Sequence, residues 1–358
     1  MNAALAALLM QATAAQAAPP IDARALGTLI EESQFSGDIR IADAKGGGWG
    51  WVGLLPQPYR GGDDGATWRW ASVTKQVVAV LVMQEVASGR VDLDRPVATY
   101  LPKFRSANAG VVTVRQLLQH RSGLPNPDDS PGGKGGFPSY YQSGYTGSRD
   151  PLTGYCAGPV KGAPGGDWAY NNCDYLVLGA LLEAVSGKSW ATLVDERIAK
   201  PLELNFLGAY PGEDFTRMGM IDGKPEAEID LASYGAAAGL YGSTDALVKF
   251  DIALMTGKLL PADALATMWK GDPALGYMAL GQWVFEAPLK GCANPVRIVE
   301  RRGSVGGVEV RNFILPAIGR AVIAFSDRAP FAFGEVWQGS GFAHDLLSAA
   351  ACGKGTKQ

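Results

Sequence analysis

Polar and apolar positions divide this chain into three stretches of different character. After a helical period at about residues 21–32, the residues alternate through 37–43 and again through 48–54, the pattern of two antiparallel strands joined by a turn at 44–47. The middle of the chain reads differently. From Gln76 to Val86 nearly every face is apolar, as expected of a helix through a protein interior, and the run stops at Ser88-Gly89. A turn at 91–96 and a short helix at 113–120 come next. Further helices are expected at 173–185, at 189–198 before Pro201, and at 243–256, the last with Ser243 as N-cap and Gly257 as its stop. Strand alternation returns at 277–285, 296–301, 308–315 and 320–326, ahead of a last helix at about 344–351.

Strands at both ends with helices between them imply one sheet assembled from distant halves of the chain. The expected class is α+β: an antiparallel sheet flanked by terminal helices, with a helical region inserted. In residue terms the domain spans 19–352, its α/β part about 19–71 and 270–352, its mainly helical part about 72–269, and 353–358 form a tail. Residues 126–166 are crowded with Gly, Pro, Ser, Asp and Tyr and carry no apolar period. They read as a long surface loop, a kind that is usually functional or disordered.

Composition narrows the partners. With 47% hydrophobic residues in 358, a substantial core is available; a formal charge of −3 without charged blocks indicates neither nucleic acid nor an anionic membrane. A small-molecule or peptide substrate fits better, and oligomeric state is left open. Residues 1–18 pair a short apolar run with an Ala-Gln-Ala site before Pro19-Pro20, similar to a secretory signal lacking a basic front, which places the true start upstream and the protein in the periplasm or outside the cell. The apolar run is too short to span a bilayer. Cys156, Cys173, Cys292 and Cys352 are an even set, and in an exported protein they point to two disulfides. Of the three pairings, Cys156 with Cys173 and Cys292 with Cys352 are favoured; four buried thiols are the other reading. With His120 and His344 the only histidines and no metal-type spacing, no metal or other cofactor is expected.

The strongest chemical signal is Ser72-Val73-Thr74-Lys75. Among the serines only Ser72 has a lysine three positions on, which sets a hydroxyl and an amine one helical turn apart at the start of the apolar helix. Burial there disfavours the charged amine and makes Lys75 a proton acceptor for the Ser72 hydroxyl. Ser-x-x-Lys is the nucleophile motif of penicillin-recognising serine enzymes. Three further runs extend it: Tyr170-Asn171-Asn172 before a helix, Leu117-Leu118-Gln119-His120-Arg121-Ser122-Gly123-Leu124-Pro125, and Ala237-Ala238-Gly239-Leu240 leading to Ser243. With Arg301-Arg302-Gly303-Ser304 these motifs resemble, over roughly residues 25–350, the serine beta-lactamase-related family of class C beta-lactamases, D-alanyl-D-alanine carboxypeptidases and esterases.

The resemblance implies a beta-lactamase/transpeptidase-like fold and a serine hydrolase that cleaves an ester or amide through an acyl-enzyme at Ser72. It makes Ser72 the nucleophile, Lys75 its deprotonating partner and Tyr170 a proton exchanger opposite. Lys75 and Arg301 would then supply the positive field that a Tyr170 phenolate needs. Asn172 would offer its amide to a substrate carbonyl, and the N–H groups of Ser72 and Ser304, beside Gly303, would form an oxyanion hole. Where the family usually carries Lys-Thr-Gly or His-x-Gly, this chain has Arg301-Arg302-Gly303, so true beta-lactamase activity is put in doubt. Strand alternation lets only one arginine face the site; by position that is Arg301, whose guanidinium suits a carboxylate. His120, by the same resemblance, lies in a turn away from the nucleophile. Trp168 reads as packing, and Tyr140, Tyr141 and Tyr145 as candidates for the cleft wall. The alternative is a penicillin- or peptidoglycan-binding module without turnover. Competing hydrolases lack their motifs here: there is no Gly-x-Ser-x-Gly and no His-Glu-x-x-His.

Overall fold

A computed structural model describes residues 18–52, 67–204, 207–210, 216 and 218–353. The leader-like segment 1–18, apart from Ala18, lies outside the described residues, as do the end of the second expected strand beyond Val52 and the tail beyond Gly353. Six strands form the main sheet: β1 (Gly37–Asp43), β2 (Gly48–Val52), β3 (Trp283–Ala287), β4 (Val296–Val305), β5 (Val308–Leu315) and β6 (Arg320–Ser326). Their spatial order is β2-β1-β6-β5-β4-β3, and every neighbouring pair is antiparallel. The N-terminal hairpin therefore completes a sheet whose other four strands come from the end of the chain. Gly37, opposite Ser326, allows the join: it sits at φ +143°, and a Cβ there would fall 1.8 Å from the Phe325 carbonyl oxygen.

Side-chain alternation splits the sheet between two cores. One face, with Ile39, Ile41, Ile298, Phe313 and Val322, packs on Leu26 and Ile30 of α1 (Ala23–Ser33) and on Leu346 and Leu347 of α6 (Phe342–Ala351). The other, with Val299, Val310, Ile314, Ile323 and Phe325, packs on a helical layer built around α2 (Thr74–Ala87), with α3 (Val114–Leu118), α4 (Asn172–Ser186) and α5 (Thr244–Met255). Every one of Val77, Val78, Val80, Leu81 and Val82 on α2 is fully buried. At roughly 1.5–3 kcal/mol per buried aliphatic side chain, this helix is held by its apolar surface on all sides, which fixes the position of whatever stands at its N-terminus. The α+β class expected from the sequence is the one found, with a beta-lactamase/transpeptidase-like arrangement. No single described helix is long and apolar enough to cross a membrane.

Three local expectations are corrected. The strand expected from Tyr277 begins only at Trp283, because Gly276, Tyr277 and Gly281 take positive φ and turn the backbone instead. The 113–120 helix ends at Leu118, and His120 at φ +58° reverses the chain. Residues 126–166 are not merely a surface loop: Tyr140 and Tyr141 are buried, with Tyr145 and Tyr155 packed around Tyr140. Irregularly spaced aromatic plugs leave no period for a sequence to display. The sequence also gave no sign of a small sheet in which Thr67–Arg69 and Leu207–Ala209 flank Leu240–Ser243, since strands of three or four residues are too short for alternation to register.

Both favoured disulfides are present. Cys156–Cys173 ties the 126–166 segment to the first turn of α4, and Cys292–Cys352 ties the end of α6 to the loop after β3. They close 17 and 60 residues of sequence separation, worth about 3 and about 4 kcal/mol of unfolded-state entropy in the chain-entropy account. Replacing Cys292 and Cys352 by Ser is expected to lower the urea unfolding midpoint more than replacing Cys156 and Cys173. Equal midpoints for the two double variants would contradict this ordering.

Candidate active site

Three backbone segments meet at the crevice. The first is the tight turn Ala71–Val73 that leads into α2 and carries Ser72. Its neighbours are clamped to a single residue of the small sheet: Trp70 N–H donates to the Leu240 carbonyl (3.0 Å), and Leu240 N–H donates to Thr74 Oγ1 (3.1 Å). Ala71 between them is held at φ +47°, a conformation that non-glycine residues rarely adopt. The second segment enters α4, where Asn171 is the N-cap and accepts from Cys173 N–H (2.8 Å). That leaves its neighbours Tyr170 and Asn172 free of capping duty. The third is β4, which passes so near Ser72 that a Cβ on Gly303 would lie 2.6 Å from the Ser72 nitrogen. Only glycine permits this approach.

Side chains from the first two segments form a closed cluster. Ser72 Oγ lies 2.5 Å from the Tyr170 hydroxyl and 3.1 Å from Lys75 Nζ, and Nζ lies 2.6 Å from the Tyr170 oxygen. Lys75, with no exposed surface, also donates to Asn172 Oδ1 (2.6 Å) and to the Ala237 carbonyl (2.9 Å). Those last two oxygens can only accept, so they take two amine hydrogens. The remaining valence of the nitrogen points at the two hydroxyls.

Electrostatics sets which form that valence takes. Burial, reinforced by the nearby Arg301 charge, holds the Lys75 amine well below the usual lysine range, against the opposing pull of Asp128 and Asp174. Burial also pushes the Tyr170 phenol up, and Arg301 and the Ser72 hydrogen bond only partly offset it. The expectation of a Tyr170 phenolate is thereby corrected. In the resting cluster the phenol keeps its proton, and the amine lone pair is the basic group.

The remaining candidates fall around this centre. Arg301 is fully buried, donates from Nε to the Ser72 carbonyl (2.9 Å), and packs its guanidinium 5.7 Å from the Tyr170 ring and 5.3 Å from Trp283. Its Nη1 and Nη2 make no hydrogen bond of good geometry among the described residues, the Tyr170 hydroxyl interacting with the guanidinium only weakly, and no carboxylate among those residues pairs with it. Arg302 pairs with Glu335, lies over Trp283 and Trp337, and lines the same cavity as Arg301, so the expectation that only one of the two arginines reaches the crevice is corrected. Asn172 does not offer its amide outward: Nδ2 donates to Asp128 Oδ1 (2.9 Å) and to the Tyr141 hydroxyl (2.8 Å). His120 is closer than expected, its ring centroid 4.8 Å from that of Tyr170. Burial and the Arg301 and Lys75 charges hold it well below the usual histidine range, and burial raises its partner Asp174, whose Oδ2 is 3.2 Å from His120 Nδ1. A histidine that resists protonation and an acid that resists ionisation thus stand behind the phenol. Trp168, read from the sequence as packing, lines a cavity of about 470 Å³ together with Ser72, Tyr170, Trp283, Arg301, Gly303 and Ser304.

A hydroxyl one helical turn from a dry amine and faced by a phenol is the arrangement expected for the Ser-x-x-Lys motif of penicillin-recognising serine enzymes. Residues 41–336 match the family model described as Beta-lactamase, and the chain belongs to that family. It is 31% identical over 251 residues to esterase EstB of Burkholderia gladioli, covering 58% of this chain and 61% of the esterase. It is 25% identical over 288 residues to the D-alanyl-D-alanine-carboxypeptidase/endopeptidase AmpH of Escherichia coli K12, covering 73% of this chain and 71% of that protein. The match thus spans less than two thirds of the esterase's own length. Among solved structures, a D-stereospecific amidohydrolase from a Streptomyces species superposes with a TM-score of 0.72 at 23% identity, over 94% of this chain and all of that one. A D-amino acid amidase from Ochrobactrum anthropi gives the same TM-score, 0.72, at 18% identity, over 91% of this chain and 97% of the amidase.

The opposing charges around Lys75 yield a signed expectation. Only the neutral amine accepts a proton, so the acid limb of a kcat/KM profile reports its titration. Arg301 disfavours the ammonium form; in Arg301→Gln the amine holds its proton to higher pH, and the acid limb should move upward. An acid limb that stays in place, in a variant with an unchanged melting temperature, would contradict the assignment.

Proposed function

We propose that the protein hydrolyses an ester or amide bond by way of an acyl-enzyme on Ser72, with no metal or cofactor taking part. The observation that carries this reading is the three-way contact among Ser72 Oγ, Lys75 Nζ and the Tyr170 hydroxyl, at 2.5, 3.1 and 2.6 Å, in a site from which water is excluded on the Lys75 side. Ser72 attacks the substrate carbonyl while its proton passes to the Lys75 lone pair, directly or through the Tyr170 hydroxyl. The tetrahedral oxyanion is received by the N–H groups of Ser72 and Ser304, a pairing supported by the close approach of β4 to the Ser72 nitrogen at Gly303. Tyr170 then delivers its proton to the leaving group and is reprotonated from Lys75. Water follows the same route in reverse: it gives a proton to the cluster, attacks the acyl carbonyl, and Ser72 Oγ leaves with a proton.

Arg301 narrows the substrate. A buried guanidinium that lines the cavity, with no carboxylate beside it and only the Tyr170 hydroxyl as a weak side-chain partner, is poorly compensated. A carboxylate on the substrate supplies the missing charge in forked geometry. This favours a D-amino-acid peptide with a free carboxyl end over a neutral ester. The relatives are consistent with either, since one is named as an esterase and another as a carboxypeptidase/endopeptidase. Two disulfides suit an oxidising compartment, and we place the protein in the periplasm or outside the cell.

Three substrates compared side by side test this: a p-nitrophenyl ester, nitrocefin, and a D-Ala-D-Ala peptide offered both as the carboxylate and as its amide. The carboxylate peptide should show the highest kcat/KM, with the amide about tenfold or more weaker. In parallel, a fluorescent fluorophosphonate should label the wild type and not Ser72→Ala, whose kcat should fall by about 10³-fold or more. Labelling of Ser72→Ala would remove the nucleophile assignment. Preference for the amide peptide would remove the role given to Arg301.

A further inference from the structure

The segment 126–166 sends two polar side chains toward the lysine from outside the crevice. Asp128 Oδ1 accepts from the Tyr141 hydroxyl (2.7 Å) and from Asn172 Nδ2 (2.9 Å), and the Tyr141 oxygen accepts the second Asn172 amide hydrogen (2.8 Å). Tyr141 is itself fixed by stacking on Tyr234, with ring centroids 3.9 Å apart and planes within 3°. Counting hydrogens closes this network. A carboxylate can only accept, so the nitrogen end of the Asn172 amide must face Asp128 and Tyr141, and the oxygen end must face Lys75. Lys75 then has to give one hydrogen to Asn172 and one to Ala237. Its lone pair is left for the hydroxyls.

We infer that Asp128 is a positioning residue for the hydrolysis proposed above: by dictating which end of the Asn172 amide meets Lys75, it orients the amine lone pair toward Ser72 and Tyr170. The inference rests on that reading of the site. Neither Asp128 nor Asn172 lines the cavity beside Ser72, so the effect reaches the chemistry through the lysine and not through the substrate. Asp128 has a second influence through its charge. The titratable and charged groups around the amine are Tyr170, Asp174 and Tyr175 at and just before the start of α4, His120 at the turn after α3, Arg301 on β4, and Asp128. Arg301 disfavours the ammonium form and Asp128 favours it.

Asp128→Ala and Asp128→Asn separate the two effects, and the side chain's exposed position makes loss of folding avoidable; equal melting temperatures provide the control. Asp128→Ala leaves the Asn172 amide unconstrained and should lower kcat about tenfold or more, with KM changed less than about twofold. Asp128→Asn keeps an acceptor but removes the charge. It should retain most of kcat while its acid limb moves to lower pH, opposite in sign to Arg301→Gln. A titration of Lys75 followed by NMR on selectively labelled lysine should show the same downward displacement without reference to activity. Unchanged kcat and acid limb in both variants would overturn the inference, as would a loss confined to KM, which would make Asp128 a substrate contact. Fluorophosphonate labelling of the wild type is run alongside: if it labels and the variants behave as wild type, only the positioning role falls, whereas failure of the wild type to label removes the hydrolase reading and this inference together.

Discussion

A single amine kept out of water governs the arrangement of this site. Lys75 has no exposed surface, and its charged form is opposed by desolvation and by Arg301. Such a group weakens the fold at neutral pH, because the unfolded chain binds a proton there that the folded chain resists; its contribution improves as pH rises toward the ordinary lysine range. The apolar helix around it offsets this. Because α2 is buried on all faces, the amine cannot swing toward solvent to recover hydration, and its only partners are those the protein provides. Four oxygens surround Nζ. Two are acceptors only, which leaves the chemistry to the two hydroxyls.

Bringing those partners together requires the two ends of the sequence to meet at one point, and small residues and a strained backbone make this possible. Gly37 lets the N-terminal hairpin join the C-terminal strands. Gly303 then lets β4 press against the Ser72 nitrogen, and Ala71, in a conformation that costs an alanine roughly 1–2 kcal/mol, turns the chain sharply ahead of the nucleophile. The clamp from Leu240 on both Trp70 and Thr74 holds that turn against relaxation. The strain is local, and the surrounding packing over-determines it.

Much of this was legible in the residues. Alternation and helical period located all six main strands and the buried α2, because these elements are long enough for a period to appear. Ser72 and Lys75 were marked by their spacing together with the motifs that follow, and Tyr170 by the family resemblance those motifs carry. What the sequence hid was polar geometry. The orientation of the Asn172 amide depends on Asp128, 44 residues away, and on Tyr141 in a segment whose aromatic plugs follow no period. The protonation of Tyr170 depends on the balance between burial and the Arg301 charge, and motif spacing says nothing about depth. His120 does lie in a turn, as expected, but nothing in the sequence hinted that the reversal at its positive φ carries the ring against Tyr170.

The amide orientation changes what the Tyr170–Asn172 run and the Arg301–Ser304 run divide between them. With Asn172 committed inward to Lys75, Asp128 and Tyr141, its amide hydrogens are unavailable to a substrate carbonyl unless a substrate displaces one of those partners. Recognition then falls to the crevice wall formed by Trp168, Trp283 and the Arg301–Ser304 edge of β4. That edge is unpaired beyond Glu300, where β3 stops pairing with β4, so backbone donors and acceptors are open at the point where Gly303 meets Ser72. Lys75, with its lone pair held by partners inside the fold, thus lies apart from the cavity wall of Trp168, Trp283, Arg301 and Arg302, so the wall can differ while the amine's surroundings stay the same.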